Sequence, residues 1–288
     1  MHLIADGQSL RMTLAEARCA GHVIGLVPTM GALHQGHLTL VAASARDASL
    51  TVMSIYVNPT QFGVSEDFSS YPRDLDRDLR LAEAAGVDIA FTPTDDEMYP
   101  GGRDGQSVWV DPGKLGSSLE GEYRPGHFRG VATVVAKLFN IVKPDIAYFG
   151  QKDAQQAVIV RRLASDLNTG VDVRVIPTVR EPDGLALSSR NVYLTPEQRC
   201  QAPALYSGLT AAETDFASGE RDAVALIARV REIILADSPA ARVQYVAIND
   251  AETLAPIAGT IARPALLSLA AHFGSTRLID NVVLIPPG

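Results

Sequence analysis

Cysteine is nearly absent: among 288 residues only Cys19 and Cys200 occur. Neither belongs to a CxxC or a Cys/His cluster, which excludes a disulfide framework and leaves two reduced thiols as the reading. Long apolar runs are missing too. The best candidate, 131–149, is interrupted by Lys137, Asn140, Lys143, Pro144 and Asp145, so no transmembrane helix is expected. Met1 to Asp6 shows no basic start followed by an apolar stretch, and a secretory signal is not expected. No usable Asn-x-Ser/Thr acceptor exists, because Asn58 precedes Pro59. A cytoplasmic protein is the simplest expectation. Positive charge is also short, with 25 Lys and Arg against 33 Asp and Glu, a formal charge of −8 and a pI near 5.2. That balance excludes a general binder of nucleic acid or anionic membranes, since phosphate attraction needs a net basic face. It leaves room for a small, locally basic pocket.

What is present is globular: 47% hydrophobic and 20% charged residues, enough for one large or two unequal domains. No internal repeat or low-complexity tract appears. The first 180 residues or so alternate compact apolar runs with helical periodicity. Strands are expected at His22 to Val27, Leu50 to Val57, Val87 to Phe91, Ile146 to Phe149 and Val171 to Ile176, with another at Gln106 to Val110. Helices are expected between them, the first opened by a capping box at Thr13 to Glu16. Continuous apolar strands each followed by a helix imply an α/β fold, a parallel sheet covered on both faces. Ligands of such sheets bind beyond the carboxyl ends of the strands. After about Thr178 the texture changes. Two helices (Pro196 to Ala217, Ala223 to Leu235) and three β segments (Val243 to Asn249, Ala265 to Phe273, Arg277 to Ile285) suggest a smaller α+β domain. The expected division is 1–178 and 179–288.

Chemistry-bearing residues gather at the strand ends. Gly31-Ala32-Leu33-His34-Gln35-Gly36-His37-Leu38 has P-loop spacing, but His37 and Leu38 replace the Lys and Ser/Thr that a Walker site requires. No GxGxxG stands here either. His34-x-Gly36-His37 places two imidazoles one helical turn apart at a helix start, where backbone N–H groups and the helix dipole favour an anion. A zinc pair lacks further ligands, since His2, His22, His127 and His272 are scattered; a structural pair is the other alternative. Gly150-Gln151-Lys152-Asp153 offers a point charge for phosphate, or simply a surface ion pair. Leu187-Ser188-Ser189-Arg190-Asn191 places two hydroxyls and a guanidinium in a loop suited to a lid over polyphosphate. Asn58 to Phe62 and Gln155-Gln156 supply uncharged amides that either recognise a small substrate or cap loops. GxSxG and HExxH are absent, and Asp74-x-Asp76-x-Asp78 lacks the glycine of an EF-hand. That run reads as a solvated helix face, with magnesium contact through Asp78 as the alternative.

Taken in order, Val27-Pro-Thr-Met-Gly-Ala-Leu-His-Gln-Gly-His-Leu38, Tyr56-Val-Asn-Pro-Thr-Gln-Phe-Gly63, Tyr71-Pro-Arg73, His127-Phe-Arg-Gly-Val131, Phe149-Gly-Gln-Lys-Asp153, Leu187-Ser-Ser-Arg-Asn191 and Thr276-Arg-Leu-Ile-Asp-Asn281 closely resemble the pantothenate synthetase (pantoate–β-alanine ligase) family. The likeness runs from about Val23 to Val283. It implies a Rossmann-like catalytic domain that binds ATP and pantoate, a smaller C-terminal lid, a homodimer and a cytoplasmic location. It also implies condensation of ATP, (R)-pantoate and β-alanine to pantothenate, AMP and pyrophosphate through an acyl adenylate, with Mg2+. By matching motif, Met30, Gly31, Ala32, Leu33, His34, Gln35, Gly36, His37, Gly150, Gln151, Lys152, Asp153, Val179, Leu187, Ser188, Ser189 and Arg190 would bind ATP. Gln61 and Gln156 would hold pantoate, with Gln61 also near β-alanine. His37, the implied proton donor, would carry the catalysis with His34 and Lys152. The protein ligands of the metal stay unknown. The rivals are an adenylyltransferase with a phosphorylated acceptor, a silent nucleotide-binding module and, given the lack of a basic stretch for tRNA, a less fitting class I tRNA synthetase.

Overall fold

The computed structural model describes residues 1–63 and 66–287, without the side chains of 103 and 104. In chain order the elements are β1 (His2–Ile4), α1 (Gly7–Cys19), β2 (Ile24–Thr29), α2 (Gln35–Asp47), β3 (Leu50–Ile55), α3 (Leu75–Ala84) and β4 (Ile89–Phe91). The one-turn helices α4 (Asp95–Met98), α5 (Gly102–Gly105) and α6 (Glu120–Tyr123) follow. Then come α7 (His127–Val142), β5 (Ile146–Gly150), α8 (Ala154–Asp166) and β6 (Asp172–Ile176). The remainder is α9 (Pro196–Gln201), α10 (Ala204–Ala217), α11 (Ala223–Asp237), β7 (Ala241–Asp250), β8 (Ala265–Phe273) and β9 (Thr276–Leu284). The chain separates into two units, Met1–Gly150 with Ile159–Ile176, and Gln151–Val158 with Pro177–Gly288. The segment 151–158, which carries Lys152, therefore groups with the second unit.

The first unit is a six-stranded sheet in the order β1-β4-β3-β2-β5-β6, parallel throughout. Its strands are apolar on both faces because both faces are covered. Leu26, Val52, Ala147 and Phe149 pack with α1, α7 and α8, whereas their neighbours Val27, Met53, Ile146 and Tyr148 pack with α2 and α3. The two-residue period of a strand divides each apolar run between two cores. α2 lies close on β2, since a Cβ on Gly25 would sit 2.1 Å from Ser44 Oγ. Strand order reverses between β2 and β5, the switch point at which open α/β sheets bind ligands.

The second unit carries an antiparallel sheet β7-β8-β9. Its core joins Leu267, Leu269 and Ala271 of β8 and Leu278, Val282 and Leu284 of β9 to Leu205, Leu209 and Phe216 of α10 and Leu226, Val230 and Ile234 of α11. A two-residue hairpin, Gly274-Ser275, joins β8 to β9, with Gly274 at φ +60.

Three expectations need correction. α1 begins at Gly7, capped by Asp6, whose carboxylate accepts the Ser9 N–H at 2.7 Å. Thr13 lies inside this helix, its hydroxyl bonded to Ser9 O, one turn back. Gln106 to Val110 is not a strand, and the Val110 N–H donates to the Thr133 hydroxyl of α7 instead. The helix expected over Pro196 to Ala217 is two, α9 and α10, with Pro203 at the junction because its nitrogen has no hydrogen to donate.

Candidate active site

The loop after β2 is shaped by two consecutive left-handed residues, Gly31 (φ +76) and Ala32 (φ +49). This turn aims the N–H groups of Ala32 and Leu33 at one point, and both donate to the Asp78 carboxylate at 2.8 Å. Successive N–H groups in such a turn form a concave anion nest. Here the anion belongs to the protein. Asp78 is 1% exposed, so the solvated-face reading fails for it, while Asp74 and Asp76 are exposed as expected. Adjacent Arg77 donates to Leu33 O at 3.1 Å, so α3 grips the loop through both kinds of backbone group. A Cβ on Gly31 would lie 2.8 Å from Asp78 Oδ2, which together with its φ requires glycine there.

His34 then caps α2. Its Nδ1 accepts the Gly36 N–H at 3.1 Å, and the His34 N–H donates to His37 Nδ1 at 3.3 Å. The rings lie 4.1 Å apart, tilted by 31°. Since both Nδ1 atoms accept, each imidazole places its remaining ring proton on Nε2. The pair therefore carries two Nε2–H groups at a helix N-terminus. The Gly36 N–H is taken by His34, and a Cβ on Gly36 would lie 2.9 Å from His34 Cε1. Glycine makes room for the imidazole.

Beyond β3, Asn58 is 1% exposed. Its carbonyl oxygen accepts from Thr60 Oγ1 and Tyr99 OH, each at 2.9 Å, and its amide donates to Gln61 Oε1 at 3.0 Å and Gly130 O at 3.3 Å. It is spent on structure and fixes Gln61, whose own amide nitrogen points at Met30 Sδ, 3.2 Å away. α7 can pack on this turn only because residue 130 is glycine; a Cβ there would meet Thr60 O at 2.4 Å. Behind Gln61, His127 Nδ1–H donates to Gln61 O at 2.8 Å, Arg124 Nη1 donates to His127 Nε2 at 3.1 Å, and Arg124 pairs with Glu66 at 2.7 Å. Burial, reinforced by the Arg124 guanidinium, pushes the His127 imidazole down to about 4. It is a neutral link at neutral pH.

In the second unit, Gln151–Asp153 form a single 3-10 turn, with Lys152 Nζ 3.9 Å from Asp153 Oδ1. Gln156 is half-buried one turn into α8, and its neighbour Gln155 is buried. Val179 O accepts the Leu187 N–H at 3.0 Å, which closes a hairpin, and Ser188 Oγ caps the Arg190 N–H of the next 3-10 turn.

The family model for pantoate–β-alanine ligase matches residues 2–283. The chain belongs to the pantoate–β-alanine ligase family. It is 53% identical to pantothenate synthetase 1 of Bradyrhizobium diazoefficiens across 99% of this chain and 98% of that one. Against pantothenate synthetase of Moorella thermoacetica the identity is again 53%, over 99% of each chain. The crystal structure of pantothenate synthetase from Thermus thermophilus superimposes with a TM-score of 0.91 at 45% identity, over 99% of this chain and 100% of that one. A pantoate–β-alanine ligase from Francisella tularensis, crystallised with an ATP ligand and β-alanine, reaches 0.78 at 31% identity, over 98% and 97%.

Of the residues that the family resemblance singled out, the structure joins His34 to His37, and Met30 to Gln61, within the first unit. Gln151, Lys152 and Asp153 share one turn in the second. Sequence reasoning missed Asp78 as the holder of the loop after β2 and gave His127, Asp280 and Asn281 no task. The signals were present, an acid beside Arg77 and an Asp-Asn pair in an apolar strand, but neither names a partner.

Proposed function

We propose that this ligase activates (R)-pantoate with ATP and passes the acyl group to β-alanine, giving pantothenate, AMP and pyrophosphate through pantoyl adenylate. The observation that carries the reading is the reciprocal His34–His37 cap, which puts the ring protons of two imidazoles on Nε2 at a helix start in a chain matched to the family model over 2–283. The pantoate carboxylate is ionised at neutral pH and needs positioning, not a base, to attack the α-phosphorus. Its oxygen bonds to phosphorus as the bond to the pyrophosphate oxygen breaks. His34 and His37 donate hydrogen bonds to the phosphate oxygens as charge develops, with His37 as proton donor. Lys152, Ser188 and Arg190 offset the remaining charge. The amine of β-alanine then attacks the acyl carbon, and AMP leaves. Gln61, its carboxamide held by Asn58, and Gln156 orient pantoate.

ATP would enter as its magnesium complex, the ion offsetting phosphate charge. Among the described residues no three His, Cys, Asp or Glu side chains stand together as a metal cage, and Asp78 already accepts two N–H groups. Residues 179–288 serve as the smaller lid domain that keeps water from the mixed anhydride. The working form is a cytoplasmic homodimer, which light scattering on eluted protein tests. The reaction is tested by exchange of labelled pyrophosphate into ATP. Exchange that depends on pantoate supports acyl-adenylate formation; pantoate-independent exchange, or none, removes it and favours a different adenylyl acceptor.

A further inference from the structure

Asp280 and Asn281 lie in the middle of β9 and are only 3% and 4% exposed. A buried polar pair in a strand is costly unless each group is fully bonded. Consecutive strand residues face opposite ways. Asp280 shares its parity with Leu278, Val282 and Leu284, which pack in the core that includes α10. Asn281 faces the other side, and there its amide nitrogen donates to Gln151 O at 3.0 Å and Lys152 O at 2.9 Å while its oxygen accepts from Gln151 Nε2 at 2.9 Å. Two carbonyls require a donor and the Gln151 amide requires an acceptor, and a carboxamide meets both demands at once.

Asp280 holds a second segment. Its oxygens accept from Arg180 Nη1 at 2.6 Å and Nη2 at 2.9 Å, and Oδ1 also accepts the Asn281 N–H at 2.8 Å. Arg180 Cζ in turn lies over the Tyr206 ring, 3.7 Å from its centroid, and the guanidinium donates to Gly184 O. A Cβ on Gly184 would stand 2.4 Å from Tyr206, so the hairpin is drawn tightly onto that ring. Arg180 bridges to Ala186, one residue before Leu187. The hairpin therefore runs from Val179 to Leu187 with a fixed register and delivers Ser188 to Arg190.

We propose that Asp280 and Asn281 are positioning residues for ATP. Asn281 fixes the backbone that carries Lys152, and Asp280 fixes the hairpin between Val179 and Leu187, so that one dipeptide of β9 sets two nucleotide-binding segments. The proposal rests on the reading that Lys152 and Ser188 to Arg190 meet ATP. Asn281→Ala, Asn281→Asp and Asp280→Asn, each alone and combined with Lys152→Ala, are assayed for single-turnover adenylate formation and for KM of ATP and of pantoate. Circular dichroism confirms folding. Asn281→Ala is expected to slow adenylate formation about tenfold and to raise KM for ATP, with KM for pantoate unchanged, because a misplaced ammonium loses its alignment. Asn281→Asp, which turns an oxygen toward two carbonyls, is expected to cost more. In the Lys152→Ala background Asn281→Ala should add less than about twofold, since residues acting through one group are not additive. Asp280→Asn should raise KM for ATP and remain additive with Lys152→Ala. A folded Asn281→Ala enzyme with normal ATP kinetics, or one whose effect multiplies fully with Lys152→Ala, overturns the proposal for Asn281. Normal ATP kinetics in Asp280→Asn overturns it for Asp280. If Lys152→Ala itself leaves adenylate formation untouched, the reading of Lys152 fails first and the proposal falls with it. Should Asn281→Ala not fold, Asn281→Ser, which keeps one donor, is read by the same criteria.

Discussion

The loop after β2 and the turn after β5 are both held through their backbones by a buried polar side chain remote in sequence, but with opposite chemistry. Asp78, 45 residues from Leu33, accepts two N–H groups. Asn281, 130 residues from Gln151, donates to two carbonyls and accepts one amide. The difference follows from what each segment exposes. Two left-handed residues turn N–H groups to one side, and a carboxylate is the side chain that only accepts. The 3-10 turn at 151–153 offers the Gln151 and Lys152 carbonyls to Asn281, and a neutral amide donates to both without burying a charge. The first segment carries the imidazoles and the second the ammonium, so the two clamps place different polar groups.

The largest expected effect tests the groups being placed. His37→Ala should lower kcat for adenylate formation by about 10²–10³, the loss typical of an oxyanion-hole donor; quench-flow detection of adenylate checks it, and a folded variant at normal turnover removes His37 from the mechanism. Next is the pH dependence of stability. Folded His127 titrates near 4 against 6.5 in the free side chain, so between these values the unfolded chain holds more protons. The stabilisation is complete above pH 6.5 and lost as pH falls through 4, about 3 kcal/mol in all. Urea midpoints should show that dependence in the native protein and a smaller one in His127→Gln; equal slopes would refute it. Asp78→Asn turns an NH2 toward one of the two N–H groups and should destabilise by about 2 kcal/mol, with kcat reduced more than KM for pantoate. A variant that melts early yet keeps full kcat at low temperature would make the clamp structural only. The smallest effect is expected of Gly36→Ala. Its Cβ must displace the His34 ring, and kcat should fall about tenfold through misalignment; unchanged kcat would show that the ring can move freely.

Much of the fold was legible because apolar runs such as Leu50 to Ile55 and Ile146 to Phe149 must be buried on both faces, whichever helices cover them. β8 was readable to the residue, Ala265 to Phe273. The failures have local causes. Thr13 looked like a cap because Thr-x-x-Glu is a capping pattern, while Asp6, further from the apolar periodicity, caps the helix. Gln106 to Val110 alternates like a strand, but its backbone is bonded to Thr133 instead. His34, His37 and Lys152 announced themselves by residue type at element ends, and the residues that hold them did not.

By its order of apolar runs, glycines and motif residues, the sequence alone determined a covered parallel sheet, the family and which polar residue types stand at the element ends. Tertiary structure decided that Gly36 accommodates an imidazole, that Asp78 fills an anion nest, that Asn58 orients Gln61 and that β9 reaches back to Lys152. The physical reason is range. Periodicity and capping act over a few residues and leave their marks locally, whereas a hydrogen bond between positions 281 and 152 is invisible until folding brings a donor within 3 Å of its acceptor.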